Sequence, residues 1–288
     1  MKNTGMKFSL WTDNGALNSK PIFSAFATSL HNNGHDVLYN DMDGDIHVIW
    51  SVLWYGRMAP NKIVWDRAKS QGKPVIVLEV GGLKRGTTWK VAINGINRDA
   101  TFGGLHNDST RADDLGLFLK PWQFNNEQGD IIIACQHNKS HQWRNQKSVQ
   151  TWLYESIDLI RQYTNRNIII RPHPRCPIPA IQYEFKNILV QTPKHVEGTY
   201  DDFDFDCTNA YAVVNWSSNP ATQAVMQGVP VFVGPDSLAY DVGNHDLARI
   251  NSPSMPDRTQ WLNDIAYTEW TLDEIEQGIP LNRLTSYL

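Results

Sequence analysis

Residues 213–234 read VVNWSSNPATQAVMQGVPVFVG, and the parsing of this stretch decides the fold. Ala212, Val213 and Val214 form a short apolar run, the kind that makes a strand buried in a parallel sheet. A polar turn at 215–219 follows. Pro220 then suits a first helical position, where its missing N–H would have no intrahelical partner. Residues 221–227 predict a short helix, Gly228 stops it, and 229–233 predict the next strand. The product is a βαβ unit. Its helix N-terminus carries backbone N–H donors and the positive end of the helix dipole, a seat for an anion such as phosphate. Taken alone, the unit is equally a capped helix in any α/β protein.

Working outward, the same alternation surrounds it. Residues 130–134 predict a strand, 148–163 a helix with Trp152, Ile157 and Ile160 inward, and 167–170 a strand that runs into Arg171-Pro172-His173-Pro174-Arg175. Another strand is read at 188–190. A polar, turn-forming linker at 120–129 separates this pattern from an earlier one. There, 7–11 is a strand, and a helix begins at Ser19 as cap with Ile22, Phe23, Phe26 and Leu30 on one face. Strands follow at 35–39, 46–54 and 75–78, with a helix at 60–71. Strand–helix–strand at this spacing predicts an α/β chain of two Rossmann-like, doubly wound parallel-sheet domains facing a cleft. The expected divisions are 1–122, 129–256 and a helical end, 257–288. Within that end, 257–277 predict one long helix or a helix pair, capped by Asp257 and stopped at Gly278-Ile279-Pro280. Residues 81–118, rich in Gly, Asn and Arg, read as a working loop region.

Composition sets bounds. The chain has 288 residues, 41% hydrophobic and 19% charged, an ordinary globular make-up. No apolar run is long enough to span a bilayer, and the N-terminus carries no secretory h-region, so a cytoplasmic protein is expected. Cys135, Cys176 and Cys207 lie far apart without metal-binding spacing, so neither a zinc site nor a disulfide framework is expected. Residues 1–128 carry 14 Lys+Arg against 12 Asp+Glu, and 129–288 carry 12 against 18. That is no basic domain of the kind that binds nucleic acid by charge alone.

In open parallel sheets ligands bind beyond the carboxyl ends of strands. Three such ends in the second half are polar together: Cys135-Gln136-His137-Asn138, Arg171 to Arg175, and Ser217-Ser218-Asn219. Two arginines and a histidine beside a helix N-terminus suit a diphosphate. The alternative is a pair of surface charges on a proline-shaped loop. Asp204-Phe205-Asp206 is a D-x-D sequence that reads as an acidic solvated loop, and no metal is expected. Asp241, His245 and Asp246 either reach the cleft or order a loop.

An "RPHP" strand end followed by SSNPA and GVPV resembles the GT-B glycosyltransferases, in particular capsule-type transferases and small phage DNA-modifying glycosyltransferases. The resemblance implies a nucleotide-sugar donor, with a UDP-sugar expected, in the second half, and the acceptor in the first. It also implies a final helix that crosses back to the first domain. His137, Arg171, His173 and Arg175 would hold the donor, with Ser217, Ser218 and Asn219 at its phosphates. Many members place a Glu on the following helix to grip the ribose, whereas this chain has Gln223. GT-B catalysis needs no metal or other cofactor.

An inverting transferase needs a base near the acceptor hydroxyl. Glu79, after an apolar strand and before Gly81-Gly82, is the first candidate, Asp13 the second, and Asp99 lies in the polar loop. Glu79 is equally a carboxylate paired with Lys84 or Arg85, or one that caps a turn. The phage likeness implies transfer to the hydroxymethyl group of hydroxymethylcytosine or hydroxymethyluracil in DNA. Lys84, Arg85, Lys90, Arg98 and Arg111 would meet phosphates, and Trp89 and Phe102 would stack a flipped base. The alternative acceptor is a polysaccharide or lipid-linked sugar. A non-catalytic sugar- or nucleotide-binding protein is the other class.

Overall fold

A computed structural model describes residues 5–124, 126, 128–178, 186–199 and 202–288. The chain divides into two units, Met1–Asp108 with Asp264–Leu288, and Ser109–Asn263.

The first unit runs β1 (Lys7–Leu10), α1 (Lys20–Asn32), β2 (Asp36–Tyr39), β3 (Ile46–Trp50), α2 (Asn61–Ser70), β4 (Val75–Val80) and β5 (Trp89–Ile93). Strands β2, β1, β3 and β4 are parallel neighbours in that order. Phe8, Leu10, Val48, Trp50, Ile76 and Leu78 belong to one core with Ile22, Phe23, Phe26 and Leu30 of α1. Ile49, Val75 and Val77 pack instead with Val64, Trp65 and Ala68 of α2. Helices on both faces explain why these strands read as unbroken apolar runs. Ser19 does not cap α1 through its side chain: its hydroxyl donates to the Ala16 carbonyl at 2.7 Å. Strand β5 lies inside the stretch read as loop and pairs antiparallel with β4. Lys90, its second residue, and the glycines before it mask a five-residue strand among turn residues.

The second unit contributes α3 (Thr110–Asp114), β6 (Asp130–Ala134), α4 (Val149–Arg161), β7 (Ile168–Arg171), β8 (Ile188–Val190), β9 (Ala210–Asn215), α5 (Asn219–Met226) and β10 (Val231–Val233). Its sheet is parallel throughout, in the order β10-β9-β6-β7-β8. Ile131, Ile133, Ile168 and Ile170 pack with Val149, Leu153, Ile157 and Ile160 of α4. Ser148 caps that helix, accepting the Thr151 N–H at 3.0 Å. The expected linker is fastened into this unit. Lys120 N–H donates to Met226 O at 2.9 Å, and Gln123 N–H to Gly228 O at 2.8 Å. Gly228, at φ +79°, is required there, since a Cβ would sit 2.0 Å from the Pro121 carbonyl oxygen.

The chain end is not one long helix. It is α6 (Thr259–Ala266), β11 (Glu269–Trp270), α7 (Leu272–Glu276) and α8 (Ile279–Leu284). Asp257 accepts the Thr259 N–H at 2.6 Å as α6 starts. Thr271 then restarts the helix through a capping box with Glu274. The two residues of β11 pair antiparallel with β5, so the first sheet is β11-β5-β4-β3-β1-β2. Ile275, Leu281 and Leu284 complete the core beneath α1.

Candidate functional site

In the second sheet the chain runs outward from β6 to β7 and β8, then returns to β9 and β10 on the other side. Strand order reverses between β6 and β9, and the crevice beyond their carboxyl ends is where open α/β sheets take ligands. Buried side chains join the two ends. Asn215, the last residue of β9, donates through Nδ2 to Ala134 O at 2.9 Å and to Ser218 Oγ at 2.7 Å. Gln136 accepts both the N–H (3.2 Å) and the hydroxyl (2.9 Å) of Ser217 at its Oε1. Gln136, Asn215 and Ser217 are each 5% exposed or less.

The Ser217 hydroxyl is turned to Gln136, whereas Ser218 and Asn219 are half-buried at the start of α5. Ser218 supplies no side-chain cap to that helix. Its first turn, which contains Pro220, keeps the donor-rich character expected of an anion seat. Gln223 lies half-buried on the same helix, with no Glu in its place.

The "RPHP" segment brings His173 to His137. Their rings meet edge to face with centroids 5.1 Å apart. His137 Nδ1 accepts the Lys139 N–H at 3.0 Å, and His173 Nδ1 accepts the Arg175 N–H at 3.1 Å. Each neutral ring is thereby held in the tautomer that carries its proton on Nε2. Burial, followed by the charges of Arg175 and Lys139, holds the His137 pKa below its ordinary value. A positive charge on that ring is therefore opposed.

Arg171 is the last residue of β7, in register with Ala134 at the end of β6. Its guanidinium donates to the Asp204 carbonyl and lies 5.2 Å from the Phe205 ring centroid. The D-x-D carboxylates serve turns, Asp204 Oδ1 accepting from Lys194 N–H at 2.7 Å and Asp206 Oδ1 from Thr208 N–H at 2.8 Å. His245 stacks on Tyr240 at 3.8 Å, and Asp246 accepts the Ala248 N–H at 2.9 Å. Cys135 is buried, which pushes its thiol up to about 12 and rules it out as a thiolate at neutral pH.

In the first unit, strand order reverses between β1 and β3, and Asp13 lies exposed in the turn after β1. Its N–H donates to Asn40 Oδ1 at 3.2 Å. Glu79 is near the carboxyl end of β4 and accepts its neighbour's Val80 N–H at 2.8 Å. Burial raises its pKa, against the opposing pull of the Ser51 side chain, the Val80 N–H, Lys90 and Arg85.

The cationic set read beside it separates on folding. Lys84 and Arg98 are exposed and Arg85 is half-buried, but Lys90 and Arg111 are 2% and 6% exposed. Trp89 is a half-buried strand residue opposite Trp270 and packs against the core on one side. Phe102 is half-buried and gives its carbonyl to Arg283 Nε at 3.1 Å. Asp99 is exposed.

Sequence reasoning missed Glu269. It is 1% exposed and accepts from Gly82 N–H (2.6 Å), Leu83 N–H (3.0 Å) and the Thr88 hydroxyl (2.7 Å). A Cβ on Gly81 would sit 2.3 Å from a Glu269 carboxylate oxygen, which explains that glycine.

Among the described residues, no group of three or more His, Cys, Asp and Glu side chains is placed to hold a metal ion. No helix among the described residues is long and apolar enough to cross a membrane. No protein-family model matches the sequence, and no curated protein sequence matches it significantly.

Solved structures do match. The KpsC β-Kdo 2,4 transferase of Thermosulfurimonas dismutans superposes with a TM-score of 0.55 at 13% identity, over 91% of this chain and 90% of that one. The KpsC β-Kdo 2,7 transferase of the same organism gives 0.54 at 13% identity, over 96% and 99%. At this identity the likeness is one of fold. The chain has a GT-B-like fold, two α/β units each built on a parallel-rich sheet.

Proposed function

We propose that this chain is a nucleotide-sugar-dependent glycosyltransferase that adds a sugar to a saccharide acceptor, with the donor held by the second unit. The observation that carries the reading is the join between β6 and β9 at the point of strand reversal, flanked by His137, His173 and Arg175. A rigid, donor-rich strand edge with nearby cations binds phosphate. Ser218, Asn219 and the first turn of α5 take the diphosphate or phosphate. His137, His173 and Arg175 take the remaining negative charge, and Gln223 takes the place of the ribose-binding Glu. Arg171 acts at one remove, by holding the Asp204 segment. Kdo is an acidic sugar, and the likeness to Kdo transferases supports a donor whose sugar is itself anionic. The protein uses Glu79 as base, or Asp13 in its stead.

Transfer to hydroxymethylated pyrimidines in DNA takes second place, because burial of Lys90 and Arg111 leaves a thinner set of contacts for a polyanion. The test is turnover of a panel of UDP-, GDP- and CMP-sugars, including an acidic sugar, with oligosaccharide or hydroxymethylated DNA as acceptor. Saccharide-dependent nucleotide release is expected. Sugar mass gained only by DNA nucleosides would reverse the order of the two acceptors, and no release from any donor would leave a binding protein.

A further inference from the structure

Three strands of the first unit place one charge row across the sheet, with Lys90 and Glu269 buried and Glu79 half-buried. In the β4–β5 register Glu79 stands opposite Lys90, and in the β11–β5 register Glu269 stands opposite the same Lys90. Residues directly opposite in antiparallel pairs share a face, so a carboxylate, an ammonium and a carboxylate lie side by side. Lys90 is pinned from a third direction, its Nζ donating to Ile96 O at 3.2 Å and Asn97 Oδ1 at 3.3 Å. Glu269 has a second task. Through Gly82, Leu83 and Thr88 it ties down the turn that begins two residues after Glu79 and leads to Lys84 and Arg85.

We propose that Lys90 and Glu269 are positioning residues for Glu79: the ammonium is divided between the two carboxylates, and Glu269 couples that charge to the 81–88 turn. The proposal rests on the reading of Glu79 as the base of the transferase. It explains how a burial-raised carboxyl is kept ionisable, since the charges that face Glu79 are Lys90 and Arg85, with Ser51 and the Val80 N–H as further donors. Burial lowers the Lys90 pKa, and the charges of Glu269 and Glu79 oppose that fall. A lysine with one partner would give its full charge to Glu79; the second partner moderates it.

The test is a carbon-13 carboxyl titration of Glu79 in the whole chain, followed beside the pH profile of transfer. Lys90→Met removes the counter-charge and is expected to move the Glu79 titration up by about one unit or more. Lys90→Arg restores the charge and should return it most of the way. Glu269→Gln keeps the shape and an acceptor for the 81–83 turn while removing one negative charge. It is expected to move the titration the other way, down, and this variant stays informative if Lys90→Met fails to fold. A Glu79 titration indifferent to Glu269→Gln and to Lys90→Met overturns the proposal. If the titration moves as expected and the pH profile of transfer does not follow it, the charge row stands and the assignment of Glu79 as base falls.

Discussion

The carboxyl ends of the two sheets are built on opposite principles. In the second unit every strand is parallel, and the reversal point between β6 and β9 is closed by neutral side chains, Gln136, Asn215 and Ser217, with cations placed around it. In the first unit the parallel strands give way to β5 and β11, both antiparallel, and the end of β4 is organised by charged residues, half-buried Glu79 with buried Lys90 and Glu269. A neutral scaffold fixes geometry and leaves charge to be supplied by the ligand. An ionic scaffold holds a group whose own protonation matters. The first design suits binding an anion, and the second suits moving a proton.

Substitutions at each edge should therefore fail in different ways. The largest effect is expected for Glu79→Gln, which should lower transfer by about 10²–10⁴-fold while leaving nucleotide affinity unchanged. The same variant should be more stable than the parent at neutral pH. The Glu79 pKa is raised from 4.5 on folding, so the carboxyl favours the folded state at low pH. Its contribution is lost as pH rises from 4.5 through the folded value. Thermal melts of both proteins at pH 4 and pH 8 check the sign: the gap should open at pH 8 and close at pH 4.

Next in size is Gln136→Leu, which takes away the acceptor for the Ser217 N–H and hydroxyl. It should cost about 1–3 kcal/mol of stability and weaken nucleotide binding, without altering the titration of Glu79. Urea unfolding and calorimetric binding separate the two effects. Gly81→Ala forces a Cβ against Glu269 and the Thr88 carbonyl, at 2.3 and 2.4 Å. A loss of about 1–3 kcal/mol is expected, with transfer reduced and donor hydrolysis spared.

The smallest effect is a pH dependence. His137 has a folded pKa below its ordinary 6.5, so its contribution to stability is present above 6.5 and lost as pH falls through the folded value. His137→Gln should flatten that slope in denaturant melts between pH 7 and pH 5. An unchanged slope would place the titrating group elsewhere.

How much of this was legible follows the same divide. The second edge is local in sequence: "RPHP" ends one strand, SSNPA begins one helix, and β-branched runs name the strands between. Periodicity and turn chemistry find such pieces. What they miss is the role of each polar atom. No local pattern names Gln136 as the partner of the Ser217 hydroxyl, or the Asp204 carbonyl as a partner of Arg171.

At the first edge the decisive partner is 187 residues from Gly82. No local pattern marks Glu269 as a buried carboxylate, because it sits in a two-residue strand inside an amphipathic stretch that reads as helix. Its burial is a consequence of β5, itself hidden among glycines, and one missed strand concealed the other. The same hidden strand conceals that Lys90 is buried and that Trp89 stands opposite Trp270.

The most direct measurement of the central claim is amide chemical-shift perturbation by UDP, GDP and CMP. The account predicts that one of them perturbs residues 136–139, 173–175 and 215–223 together, with Arg175→Ala weakening that nucleotide. Shifts confined to other surfaces, or an Arg175→Ala protein that binds the nucleotide as the parent does, would contradict it.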